Sequence, residues 1–101
     1  MNGNRPNGYM PQPIVIDGIE IGEQLAELID ELSKNAHELW AAQRFTDGWS
    51  WGEHRDDKKK THPCLIHYDE LPDTEKVYDR KMVVGTLQAI IALGYSITRD
   101  A

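Results

Sequence analysis

The residues of this chain best suited to chemistry crowd into one stretch, His37 to Leu65, which reads HELWAAQRFTDGWSWGEHRDDKKKTHPCL. It contains all three tryptophans, three of the four histidines, the single cysteine and the only run of lysines. Indoles beside guanidinium and imidazole groups can stack a planar molecule and hold its anionic part. The same residue types can also close the core of a small domain, so each has two readings.

Trp49 and Trp51 flank Ser50. In an extended backbone alternate side chains share a face, so both indoles would point the same way. Together they could stack a ligand or lid the core beneath the loop, and for Trp49 core packing is the stronger reading. Trp40 closes an apolar helical stripe and is expected at the rim of the core. His37, three residues earlier, is expected to be structural, its imidazole bonded to the loop above. Arg44, Arg55 or a lysine could contact phosphate or carboxylate. The competing reading of Arg55-Asp56-Asp57 with Lys58-Lys59-Lys60 is a solvated loop tip.

Two other chemistries fit poorly. His54, His62, Cys64 and His67 lack the paired spacing of a structural zinc site, so no metal is expected. Cys64 with His62 or His67 supplies the residue types of a thiol nucleophile and its base. No strand-to-helix elbow or oxyanion hole is visible around them, and no Gly-rich phosphate loop occurs elsewhere. The chain is therefore expected not to be an enzyme and to need no cofactor.

The elements that must position these residues fit in one domain of 101 residues. Residues 1–8 read as a flexible tail and residues 9–101 as the domain. One cysteine excludes an internal disulfide framework. The longest apolar run, Ala89 to Leu93, is far too short to span a bilayer. The polar start has no signal-peptide core, so a cytoplasmic protein is expected. Net charge is -6, yet the middle of the chain is locally basic. That pattern is not the one-sided positive excess of a nucleic-acid binder.

Pro11 and Pro13 favour an extended arm. Asp17-Gly18 between apolar residues reads either as a hairpin turn or as an irregular lead into a helix. Ile21, Leu25, Leu28, Ile29, Leu32, Ala36, Leu39 and Trp40 then recur at spacings of three and four, one helical stripe. A second helix is expected from about Thr74 to Leu93. Asp73 would cap it; Val77, Val84, Leu87, Ile90 and Ile91 would form its apolar face; Gly94 would end it, with Tyr95 folding back on Ile90. Gly85 in mid-helix predicts a close approach by a ring or another backbone. Short strands are expected at Gly48–Gly52 and Leu65–Tyr68, with Tyr95–Thr98 as a third piece. The fold class is α+β, mainly helical: two long packed helices joined by a long loop region with short strands.

Taken together these segments resemble the ryanodine receptor domain, the RyR repeat. The matching pieces are Tyr9-x-Pro11-x-Pro13, Asn35-Ala36-His37-Glu38-Leu39-Trp40, Gly48-Trp49-x-Trp51-Gly52, Arg55-Asp56-Asp57 with His62-Pro63-Cys64-Leu65, Leu71-Pro72 with Glu75-Lys76, Tyr78-Asp79-Arg80, and Thr86-Leu87 leading to Ala92-Leu93-Gly94-Tyr95. They span Tyr9 to Ile97 and are specific as a set. The resemblance implies two main helices with long loops. In the calcium-release channels such repeats occur in pairs on the cytoplasmic assembly; in microbial proteins they occur as isolated domains with a suggested ligand-sensing role. It further implies a nucleotide-type ligand in an aromatic-lined crevice, with Trp40 and Trp51 stacking and Arg44 and Arg55 contacting the anion. Trp51 stands where tyrosine is frequent, which changes the pocket's size. A single repeat without a membrane segment cannot form a channel, and a repeat that normally pairs suggests a homodimer.

The reading is a standalone RyR-type module that binds a small, nucleotide-derived molecule through a face of Trp40, Arg44, Trp49, Trp51, Arg55 and His37. The alternative is a protein–protein interaction module using the same tryptophans.

Overall fold

The structure, a computed structural model, describes residues 6–100. Of the expected tail, residues 1–5 lie outside the described residues. Two helices pack together: α1 is Ala26–Thr46 and α2 is Asp73–Ala92. Between them runs a loop region holding β1, Ser50–Trp51, and β2, Thr61–His62, paired parallel. Single 3-10 turns occur at Pro6–Gly8, Glu23–Leu25 and Tyr68–Glu70. This is the expected mainly helical α+β architecture.

The buried line of α1 is Ile29, Ser33 and His37, each one turn from the next. Two of these three are polar, and both are satisfied. The Ser33 hydroxyl donates to the Ile29 carbonyl at 2.7 Å. His37 Nε2 donates to the Ile66 carbonyl at 2.7 Å and so ties α1 to the loop. The apolar stripe expected from sequence is rotated from this line. Leu39, counted as core, is 65% exposed, because it falls on the flank of Ile29 opposite Ser33 and His37.

Asp73 does not cap α2. It is the first helical residue, and Pro72 holds the cap position with extended backbone. The Pro72 carbonyl accepts the amides of Glu75 and Lys76 at 2.9 and 3.1 Å. Asp73 and Glu75 then place negative charge in the first turn, where the helix dipole favours it. Leu87 is buried, while Val77, expected in the apolar face, is 59% exposed. Gly94 ends the helix at φ +100°, and the amides of Gly94 and Tyr95 bond back to Ile91 and Ile90. Only the backbone of Tyr95 folds back; its ring is exposed. Gly85 marks no close approach either, since a Cβ built there meets nothing within 4 Å.

The end of α1 matters most for the site. Gly48 takes φ +90°, and the amides of Gly48 and Trp49 bond back to Phe45 and Arg44 at 3.1 and 2.9 Å. This paired closure turns Trp49 over the last turn of the helix. Lys60 Nζ donates to the Asp47 carbonyl at 2.9 Å, placing a cation at the negative end of α1. β1 and β2 approach closely because Gly52 has no Cβ; one built there would lie 2.7 Å from Thr61 Cβ. Asp56 and Thr61 exchange backbone hydrogen bonds at 3.0 and 3.1 Å and close the charged loop. Inside it, Asp56 Oδ1 accepts the amides of Lys58 and Lys59.

Leu65–Tyr68 is not a strand. Pro63 removes a backbone donor just after β2, and the chain instead buries Leu65 and Leu71 on either side of the 3-10 turn. Tyr95–Thr98 forms no strand among the described residues. Asp17-Gly18 forms a turn, with the Ile19 amide bonded to Ile16, but no strands flank it. Gln88 of α2 holds this arm by donating to the Ile19 carbonyl at 2.9 Å. Among the described residues no helix is long and apolar enough to cross a membrane.

Gly48, just past the end of α1, and Gly85, within α2, should respond oppositely to alanine. Gly48→Ala forces a side chain into left-handed backbone and should destabilise by about 1–2 kcal/mol. Gly85→Ala should stabilise by up to about 1 kcal/mol, because the space is open and alanine favours helix. Urea denaturation of the two variants against the parent checks both signs.

Candidate functional site

α1, the loop and α2 enclose a cleft of about 280 Å³. α1 contributes His37, Trp40 and Arg44. The loop contributes Arg55, His62 and Cys64, with Leu71 beside them. α2 contributes Glu75, Tyr78 and Asp79. The α1 residues reach one cleft because 37, 40 and 44 are three and four apart and share a helix face.

Arg44 is the best-defined cation of the site. Its Cζ lies 4.4 Å from the centroid of Trp49 and 5.5 Å from that of Trp40. Both distances lie within reach of a cation–π interaction. The helix-end turn at Gly48 produces the closer contact, since it lays Trp49 over Arg44. Arg55 instead pairs with Asp57 at 2.9 Å, in an exposed contact.

Trp40 sits among imidazoles. His62 meets it edge-on at 5.0 Å and 74°, and His37 lies at 5.6 Å. His62 Nδ1 accepts the Cys64 amide at 3.0 Å. A backbone amide can only donate, so Nδ1 carries no proton and the neutral ring is protonated at Nε2. Burial, then the charges of Arg55 and Arg44, lower the pKa of His62. Each of these agrees with a neutral ring.

The cysteine is held in the wrong state for nucleophilic attack. Cys64 Sγ donates to Glu75 Oε1 at 3.4 Å. Burial and that hydrogen bond push its pKa up to about 11, whereas a reactive thiol needs a depressed value. Its histidine neighbour engages the backbone amide rather than the sulfur. Among the described residues no group of three His, Cys, Asp or Glu side chains is placed to hold a metal ion.

Of the residues singled out from sequence, the structure brings His37, Trp40, Arg44 and Arg55 to the cleft. Trp49 lies behind Arg44 and supports it. Trp51 is 54% exposed and lies outside the cleft lining. β1 is extended, but its neighbour Trp49 belongs to the helix-end turn, so the two indoles have different surroundings. Sequence reasoning did not assign His62, Glu75, Tyr78 or Asp79 to the site. All four fall within the motif blocks that carry the family resemblance, which was the available signal. Glu75 and Asp79 are one helical turn apart, so their shared face was also readable.

His62 gives the site a pH signature. Its folded pKa lies below the unfolded value of 6.5, so the unfolded chain binds more protons near that pH. Its contribution is complete above 6.5 and is lost as pH falls toward the folded pKa. Between pH 7 and 5.5 the parent should lose more of its Tm than His62→Gln, measured in parallel melts. Equal losses would place the titration elsewhere.

The helix pair, the loop and the cleft-lining blocks all fall within one region of sequence similarity. The RyR domain model matches residues 9–99 of the 101-residue chain, which covers both helices, the sheet and every residue of the cleft. The chain belongs to the RyR domain family.

Proposed function

We propose that this RyR domain is a non-enzymatic recognition module whose cleft between α1 and α2 binds a small anionic molecule with a planar ring, of nucleotide type. The observation that carries this reading is Arg44. Two indoles flank it, and among the described residues no carboxylate forms a salt bridge with it. A guanidinium held by rings has already lost much of its rotamer freedom, which lowers the entropic cost of gripping an anion. Trp40 supplies a ring face beside it. Arg55 is a second anion contact at the opening. A volume of about 280 Å³ is near the low end of ligand pockets, roughly 300–1,000 Å³.

A thermal-shift screen of nucleotides tests this. A ligand at one hundred times its Kd should stabilise the chain by about 2.7 kcal/mol, worth roughly 4–8 °C per kcal/mol at this size. Trp40→Ala and Arg44→Gln should abolish the shift while remaining folded. Trp49→Ala should weaken it through the loss of Arg44 positioning. A shift that survives all three variants would move the ligand elsewhere, and no shift across the panel would reject the nucleotide reading.

A second reading, recognition of a protein partner, is favoured by a separate observation. The chain exposes 8365 Å², whereas a compact protein of this mass exposes about 5,800 Å². Its radius of gyration is 16.9 Å, against about 13 Å for a compact domain of this length. Tyr9, Met10 and Val15 of the arm and Val77 and Met82 of α2 are among the exposed apolar groups. A hollow of about 450 Å³ lies beside α2, lined by Ile16, Val77, Val84 and Gly85. A second copy of the chain is the partner that this reading takes first. Light scattering after size exclusion should give twice the monomer mass, and Val77→Asp with Met82→Lys should halve it. A monomer at all concentrations would reject the homodimer.

A further inference from the structure

The cleft keeps its opposite charges apart. α1 and the loop bring Arg44 and Arg55 to it, while α2 brings Glu75 and Asp79. The two acids lie one turn apart on the same helix face. The ion pairs among the described residues are Arg55–Asp57, Arg80–Asp30 and Arg99–Glu27, so neither cleft acid is paired. Glu75 accepts only the Cys64 thiol, a weak donor. No described residue donates a hydrogen bond to Asp79, and burial raises its pKa even with His37 opposing that rise. Glu75 and Asp79 are therefore acceptors that the protein itself leaves largely unused.

An anion-binding cleft gains nothing from carboxylates that face its ligand unless the ligand also carries donors. Carboxylates repel phosphate and accept N–H groups. Resting on the nucleotide-type reading above, we propose that Glu75 and Asp79 form a second recognition point that selects a ring edge bearing N–H donors. The ring then stacks beside Trp40, its anionic group faces Arg44 and Arg55, and its amino or ring N–H groups face α2. Tyr78, exposed on the same wall, adds a second aromatic group at the rim.

Three probes separate this from simple anion binding. Adenosine 5′-monophosphate and guanosine 5′-monophosphate carry N–H donors on the base edge. Purine riboside 5′-monophosphate has the same fused ring system, ribose and phosphate but no such donor. Calorimetric titration of the full chain should show at least one donor-bearing nucleotide binding about tenfold tighter than the donor-free analogue, the size of one hydrogen bond to a charged acceptor. Asp79→Ala and Glu75→Ala should each narrow that gap, because each weakens the donor-bearing nucleotide relative to purine riboside 5′-monophosphate, whose binding a lost carboxylate should not weaken. Both replacements favour helix, and circular dichroism confirms folding. The proposal is overturned if the donor-free analogue binds as tightly as both others, or if the gap persists in both variants. In either case the anion-binding cleft still stands. If none of the three binds, the cleft reading and this one fail together.

Discussion

Arg44 held between Trp40 and Trp49 is the interaction on which the rest of this site depends. It arises from backbone geometry before any ligand is considered. Gly48 takes a left-handed conformation that a side chain would resist. That conformation lets the amides of Gly48 and Trp49 satisfy the last carbonyls of α1. Trp49 must then lie against the turn it has just closed, and the residue waiting there is Arg44. Trp40, one turn earlier, is a second ring within reach of the guanidinium, its centroid 5.5 Å from Arg44 Cζ. The same glycine therefore ends the helix, satisfies its carbonyls and orients the cation.

The cleft runs against the usual economy of a small core. Among the described residues the buried apolar side chains are Ile29, Leu65, Leu71 and Leu87, yet two polar residues, Ser33 and His37, occupy the buried line of α1. Their hydrogen bonds to Ile29 and Ile66 keep that burial tolerable. Asp79 has no protein donor among the described residues, but none of its oxygens is buried without a partner. Partial burial, and then the charge of Glu75 one turn away, raise its pKa, while His37 opposes the rise.

The helices and the terminating Gly94 were legible because helical spacing and left-handed residues leave direct marks on a sequence, whereas Gly48, read as the start of a strand, ends α1 instead. Arg44 and Trp40 were legible for the same reason: their spacing puts them on one face. The strand partner of β1 was not. Leu65–Tyr68 has strand-like residue types, but pairing depends on where a distant segment can approach, and Gly52 admits Thr61 rather than Leu65. The burial of α1 was only half legible. Periodicity located a stripe, but the contact with Ile66 decided that His37 and not Leu39 lies at its centre. Gly85 misled because a glycine in a helix signals missing volume without saying whether anything fills it. The acidic wall of the cleft was missed for a similar reason. Exposed and cleft-facing carboxylates look alike in one dimension, and only the position of α2 separates Glu75 and Asp79 from the solvated acids of α1.

The same geometry also sets the state of Cys64. A cysteine beside two histidines has the composition of a nucleophilic site, and composition alone leaves that option open. Here the hydrogen bonds run the other way. His62 spends its acceptor nitrogen on the Cys64 backbone amide, so it cannot take the thiol proton there. The thiol instead donates to Glu75; burial first, and then that hydrogen bond, raise its pKa to about 11. Activation would require a base on the sulfur and a cation close to it. Neither nearby arginine is among the groups that shift the thiol: burial, Glu75 and Asp79 all raise its pKa. Cys64 is thus the hinge of a hydrogen-bond chain from His62 to Glu75 that fixes the loop against α2.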